Sequence, residues 1–396
     1  MPPELAILGG DPTFEKPFPI VKPSASRYLE DYLVDIRGIL ESGMLSGVNR
    51  HVKEFEDAFA DYLKVSRAVA MGSNTSGLIL CLSALGIRNQ RIMLPSFTFS
   101  ATALGPFWSG NPMTWIDVDD TLTLSEEAIL DMDLSDISLI IGVHTFGNPC
   151  PYRALDRVAQ SHGCHVIFDA AHALGSVCNG AKIGGSGSAE VFSLSSTKLV
   201  TSFEGGMVAT NDDGLAEKIE VLRNYGNSPD YSCEIPGLNA RMPEVSAALG
   251  HRMLEDVNLF VRNRNGYCDR YATKLRKLEG ISFQRIREGC ISSRKDFAII
   301  VSPEEFGMTR DVLAVALEEE NIMTKKYFFP PVHKLKAFRD YGEDDLPVTE
   351  EVSRKTLCLP IHNFMSSEDV DRICDSISAC SEQSERVVKA VQDRIQ

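Results

Sequence analysis

No cluster of lysine and arginine, no apolar run long enough to span a bilayer, and no Cys-x-x-Cys or His/Cys group at zinc spacing occurs in these 396 residues. The formal net charge is -15 and the pI about 5.1, which excludes a nucleic-acid or anionic-membrane surface, because counterion release needs clustered cations. Without about 20 consecutive apolar residues no transmembrane helix is expected. The N-terminal MPPELAILGG lacks a basic segment followed by an apolar one, so no secretion signal is read there. The ten cysteines are scattered; we read them as buried thiols of a reducing cytoplasm, and expect no metal site. A dinucleotide fingerprint is also missing. Gly184-Gly185-Ser186-Gly187-Ser188 is not G-x-G-x-x-G, and it precedes a strand where that fingerprint needs a helix, so it reads as a turn.

What the chain does have is length and alternation. A chain of this size buries a large core, and two or three domains are expected. Residues 1–24, rich in Pro and Gly, read as an extended arm. Leu29, Leu33, Ile36 and Leu40 stand at helical spacing before Ser42-Gly43, and a second helix is expected over about Val52–Leu63. Strand, polar turn and helix follow in RAVAMGSNTSGLILCLSALG (67–86), and Met113–Asp117 and Leu139–Val143 are further apolar strands. Alternation at this spacing predicts an α/β fold with a mostly parallel sheet in a large domain spanning 25–255. Met242, Val245, Leu249, Met253 and Val257 suggest one long helix. Shorter strands and helices toward the C-terminus predict a smaller α/β domain, bounded at 256–396, ending in a frayed amphipathic helix.

Two stretches carry chemistry. In VFSLSSTKLVTSFEGGMVATND (191–212) a lone lysine, Lys198, sits among small hydroxyl residues between two apolar runs. Burial would strip hydration from its ammonium, expose a neutral amine and allow a Schiff base with an aldehyde cofactor, with Ser193 offering a hydroxyl to a phosphate. A lysine in a loop more often reaches to water. In CHVIFDAAHALGS (164–176) an apolar strand ends abruptly in Asp169, and ligands of open α/β sheets lie at the carboxyl ends of strands. Asp169 is thus a partner for a pyridine nitrogen, or simply a helix cap; His172 either orients a cofactor or fills the core. The turn Gly72–Ser76 opens a helix where free N–H groups and hydroxyls could meet a phosphate, or merely cap.

FDAAHALGS, FSLSSTK, FEGGMVATND and HTFGNPC together resemble the DegT-type sugar aminotransferases, over nearly the whole chain. The resemblance implies fold type I, pyridoxal 5'-phosphate as cofactor, Lys198 and Asp169 as catalytic residues, and a cofactor shell of Thr75, Ser76, Phe99, His172, Ser193 and Asn239. It implies further that Asn239 reaches a neighbouring subunit's cofactor phosphate, so a homodimer with shared sites is expected, and that Arg241, Lys326, Tyr327 and His333 face substrate. The implied reaction moves an amino group from glutamate or glutamine to a nucleotide-linked deoxysugar, such as a dTDP-4-keto-6-deoxyhexose. A cyclitol or other keto acceptor, a sugar dehydratase and a non-catalytic cofactor-binding regulator are the alternatives; the dehydratase lineage carries histidine in place of Lys198. Phe203 and Ser195-Ser196 depart from the usual pattern and are expected to reshape the sugar pocket.

Overall fold

The computed structural model describes residues 4–227, 230, 232–233, 235–341 and 345–395. Five strands come first: β1 (Arg67–Met71), β2 (Arg91–Pro95), β3 (Met113–Ile116), β4 (Ile137–Val143) and β5 (His165–Asp169). A two-stranded ribbon follows, β6 (Val177–Cys178) and β7 (Ala181–Lys182), then β8 (Ala189–Ser193) and β9 (Gly206–Thr210). Later strands are β10 (Ile281–Phe283), β11 (Cys290–Ile291), β12 (Phe297–Val301) and β13 (Thr356–Leu359).

The large sheet runs β1-β9-β8-β5-β4-β2-β3 and is parallel except for β9, which is antiparallel to both its neighbours. Its central strands read as unbroken apolar runs because helices cover both faces; Val166, Ile167 and Phe168 of β5 are at most 2% exposed. The carboxyl ends of β2, β4, β5 and β8 therefore open on one edge, where the sheet can present side chains to a ligand. A second sheet, β10-β12-β13, is antiparallel and belongs to the smaller domain.

Several expectations need correction. Residues 4–22 do not stand apart: Leu5, Ile7 and Phe14 are buried in the small-domain core, and Glu320 accepts bonds from the backbone N–H groups of Ala6 and Thr13 at 2.7 and 2.8 Å. A few well-spaced apolar residues suffice when a preformed core receives them. The helical pattern around residue 250 is two helices, Glu244–Leu254 and Val257–Leu275. The second serves both domains, with Val257, Phe260 and Val261 in the large core and Cys268, Tyr271 and Leu275 in the small one, so the boundary runs along this helix and not ahead of it. The C-terminal helix Ser384–Ile395 is docked, with Val387 and Val391 buried in the small core.

The helix Leu29–Ser42, ended by Gly43 in the left-handed conformation, forms where expected. It buries Tyr32 and Ile39, however, while Leu29, Leu33 and Leu40 are 50%, 49% and 62% exposed. The cysteines also differ from expectation. Antiparallel pairing sets Cys178 of β6 opposite Cys290 of β11, and the two form a disulfide; Cys233 is exposed.

Candidate active site

Seven chain segments meet at the open edge of the large sheet around a cavity of about 350 Å³. Ser73, Asn74 and Thr75 come from the turn after β1, Thr98 and Phe99 from the segment after β2, and His144 from the end of β4. Asp169 and His172 follow β5, Ser193, Ser195 and Lys198 follow β8, and Lys295, Tyr327 and Phe328 come from the small domain.

The turn after β1 is a helix start. Ser73 caps the helix Asn74–Ala84 and exchanges bonds with Ser76 in a capping box, which leaves the first N–H groups of the helix directed outward. Ser76 is thus consumed internally, its Oγ donating to the Ser73 carbonyl at 2.8 Å, and it does not line the cavity. That corrects its expected place beside Thr75. The strand β9 passes so close to this turn that a Cβ at Gly206 would lie 2.6 Å from the Asn74 nitrogen.

Asp169 is 5% exposed and rigidly held. Its Oδ2 accepts from Thr102 Oγ1 at 2.7 Å, and its Oδ1 from the Ala171 N–H at 3.1 Å and from Asn74 Nδ2 at 3.3 Å. A carboxylate so bound is fixed in direction. His172 is stacked nearly parallel to Phe146 and Phe328, and its Nδ1 accepts the Phe146 N–H at 3.2 Å. Burial, with Lys198 and Lys295 adding to it, holds its pKa well below 6.5. The ring is therefore neutral near pH 7 and carries its proton on Nε2.

Lys198 sits in a loop closed at its base by Leu194 N–H to the Gly205 carbonyl at 2.9 Å and Ser202 N–H to the Leu194 carbonyl at 2.8 Å. Burial, then the charge of Lys295, pulls its pKa from 10.5 down to about 7, against the opposing pull of Asp296, Asp169 and Glu204. A large fraction of the amine is then unprotonated at neutral pH, which makes it both nucleophile and base.

Other predicted residues lie elsewhere. His333 does not stand at the mouth of the cleft: it is 3% exposed, and its Nδ1 is 2.6 Å from Ser96 Oγ, which ties its segment to the end of β2. Lys326 pairs with Asp311 at 2.5 Å and lines an adjoining hollow that shares Phe99 and Tyr327 with the cavity. Asn239 is exposed and Arg241 lines a separate hollow beside Gly47, Val48 and Asn224; neither reaches this chain's own cavity. Phe203 and Ser196 also lie off the cavity, whereas Ser195 lines it. Thr102, the Asn74 side chain and the Lys295–Asp296 pair had been missed. Thr102 and Asn74 lie 67 and 95 residues from Asp169, so nothing local connects them; the charged pair directly ahead of the apolar β12 was the one legible signal.

A lysine with a lowered pKa, a fixed carboxylate at a strand end, a helix start and flanking rings fit an anionic aldehyde cofactor with a basic ring nitrogen. A family model described as the DegT/DnrJ/EryC1/StrS aminotransferase family matches residues 28–378. The dTDP-4-amino-4,6-dideoxy-D-glucose transaminase of Shigella dysenteriae is 31% identical over 369 residues, 92% of this chain and 99% of that protein. The GDP-perosamine synthase of Caulobacter vibrioides is 32% identical over 351 residues, covering 87% of this chain and 92% of the other. A crystal structure of DesI with its TDP-sugar product superimposes with a TM-score of 0.91 at 30% identity, over 98% and 99% of the two chains. Aminotransferases of this family depend on pyridoxal phosphate. The chain belongs to the DegT/DnrJ/EryC1/StrS aminotransferase family and is a transaminase of fold type I.

Proposed function

We propose that this aminotransferase moves the amino group of glutamate or glutamine to a keto carbon of a nucleotide-linked deoxysugar, a dTDP-4-keto-6-deoxyhexose in first place. The observation that carries the reading is the convergence of Lys198, Asp169 and the Ser73–Thr75 helix start on one cavity. The names of the two relatives, each of a nucleotide-linked amino sugar or its synthase, support the acceptor.

When bound, pyridoxal phosphate supplies a reactive carbonyl carbon and a ring that withdraws electrons from the carbon being deprotonated. In this reading Lys198 Nζ takes the donor's alpha proton and returns it, Asp169 keeps the ring nitrogen protonated, and Phe99 and His172 flank the ring. Thr75 and Ser193, with the free N–H groups behind Ser73, hold the phosphate. Tyr327 and Lys326 stand on the side from which substrate enters.

We further propose a homodimer with shared sites. Asn239 is exposed, and Arg241, which donates from Nη1 to Asn224 Oδ1 at 2.5 Å, lies away from its own cavity, so neither serves this chain's own site; next to them runs an exposed apolar row on the helix Leu29–Ser42 and the following loop. We also propose a cytoplasmic location; among the described residues no helix is long and apolar enough to cross a membrane.

Absorbance of the pure protein with pyridoxal phosphate, before and after L-glutamate, tests the first half of the reaction. Loss of the yellow colour with one equivalent of 2-oxoglutarate is expected, followed by recovery on adding the keto sugar. Lys198→Ala should bind cofactor yet lose turnover entirely, and sustained turnover there would sink the assignment.

A further inference from the structure

Between β10 and β12 of the small sheet the chain crosses onto the large domain, where Gln284 donates to the carbonyls of Thr121 and Thr145. There β11 pairs with β6 in the ribbon β11-β6-β7, which stands apart from both larger sheets. The ribbon is preset by its sequence. Asn179 and Gly180 both take positive φ, 50° and 80°, as the two-residue turn between β6 and β7 requires. The Asn179 N–H donates to the Gly289 carbonyl at 2.7 Å, and a Cβ at Gly289 would lie 2.5 Å from Asn179 Oδ1. That close approach sets Cys178 opposite Cys290, and the two are joined, while the other cysteines are free thiols. Two stretches of the cavity wall start from this joint: His172 stands just before Cys178, and Lys295 just after Cys290. Ser293 links the two stretches, donating from Oγ to the His172 carbonyl at 2.5 Å and from its N–H to Ser176 Oγ at 3.0 Å.

We propose that Cys178 and Cys290 form a reversible thiol–disulfide modification site, oxidised by small-molecule disulfides, whose closure fixes this wall and tightens cofactor binding. The effect on cofactor rests on His172 flanking the ring. Ladders of two residues are marginal on their own, and both the β6–β11 and the β6–β7 pairings are of that length. The covalent bond therefore has something to hold: once it opens, the Ser293 bonds and two short ladders are left to place His172. The joint is also within reach of solvent. Cys290 is half-buried beside the exposed Asn179, Gly180 and Ile291, whereas Cys178 is 3% exposed. Cys290 is thus the thiolate that attacks, displacing one thiol from the external disulfide and leaving a mixed disulfide; Cys178 then attacks the Cys290 sulfur and releases the second thiol. Two protein thiols give up two electrons and two protons, and the external disulfide takes them up as two thiols. Reduction runs through the same steps in reverse. In a reducing cytoplasm, a disulfide is of this transient, responsive kind.

The first test reads the thiols. The full-length chain is equilibrated in oxidised or in reduced glutathione, quenched with iodoacetamide and digested without reductant. Mass spectrometry should find one peptide joining Cys178 to Cys290 in the former and two alkylated cysteines in the latter; the same state in both would overturn the proposal. The second test titrates each form, after desalting, with pyridoxal phosphate. Opening should raise the half-saturating concentration about fivefold or more, the low end of ordinary coupling between two sites. Coupling is reciprocal, so saturating cofactor should raise the ratio of disulfide to dithiol in one glutathione buffer by the same factor, a readout that needs no turnover. Cys290→Ser should match the reduced wild type and ignore glutathione. A response that persists in that variant, or equal affinity of the two wild-type forms, would overturn the proposal. Should Cys290→Ser fail to fold, reduced wild type blocked with iodoacetamide gives the same comparison. Borohydride reduction with peptide mapping separates the two readings: cofactor fixed to a lysine other than Lys198 defeats the functional reading, while the joined peptide still decides the thiol site.

Discussion

A single amine decides the chemistry, and its environment decides the amine. Lys198 is charged at nearly every pH in an unfolded chain but has a pKa of about 7 in the fold, burial being the main cause. Between those two values the unfolded chain binds more protons, so stability rises with pH across the window from about 7 to 10.5. Below pH 7 the destabilisation is complete; above 10.5 it is gone. Lys198→Met should therefore be more stable than the wild type at pH 6, by on the order of 2 kcal/mol after allowing for solvent near the partly exposed side chain. The gap should close toward alkaline pH. Urea midpoints of the two cofactor-free proteins across that range would check it, and a gap independent of pH would contradict the lowered amine. Lys198 was legible in the sequence because a lysine between buried strands is rare. Thr102 was not, since its bond to Asp169 depends on a helix two strands away in the sheet.

At the scale of elements, the site depends on how closely β9 lies against the helix start at Ser73. The antiparallel placement of β9 between β1 and β8 brings Gly206 against that turn, and a methyl there would sit 2.6 Å from both the Asn74 nitrogen and the Ser73 carbonyl carbon. Gly206→Ala must push the turn or the strand, at a cost of about 1–3 kcal/mol. Because the displaced backbone is the proposed phosphate seat, cofactor affinity should fall about tenfold or more as well. Spectrophotometric titration with pyridoxal phosphate would measure it; unchanged affinity would mean that the phosphate sits elsewhere. The Glu-Gly-Gly run was visible in the sequence. Its reason, steric clearance for a turn 132 residues earlier, appears only once β1 and β9 are paired.

For the whole molecule, the proposed homodimer turns on the exposed apolar row. Leu29, Leu33, Val34, Leu40, Met44, Leu45 and Val48 are all about half exposed or more, from 49% to 70%. A continuous exposed apolar surface of this kind marks an interaction site, and a second copy is the partner that would bring Asn239 and Arg241 to a cavity. Leu40→Asp should weaken association by about 2 kcal/mol or more, giving the mass of one chain in sedimentation at micromolar concentration and a parallel loss of cofactor. A variant that stayed dimeric would move the interface elsewhere; a monomer that kept full activity would remove the shared site.

The α/β alternation with its mostly parallel sheet, Lys198 and the strand-end Asp169 could be read from the chain because each is a local signal: apolar runs of fixed length, and a charged side chain where none belongs. Tertiary structure alone decided the rest. Periodicity specifies an apolar face but not what covers it, so the leucines of Leu29–Ser42 read as core while the fold leaves them outward. The family resemblance implied that His333 faces substrate, whereas packing buried it against Ser96. A second lysine on the wall of the same cavity, Lys295, comes nearly a hundred residues later. Proximity across such distances follows from how the two domains pack together, and one-dimensional order carries no measure of it.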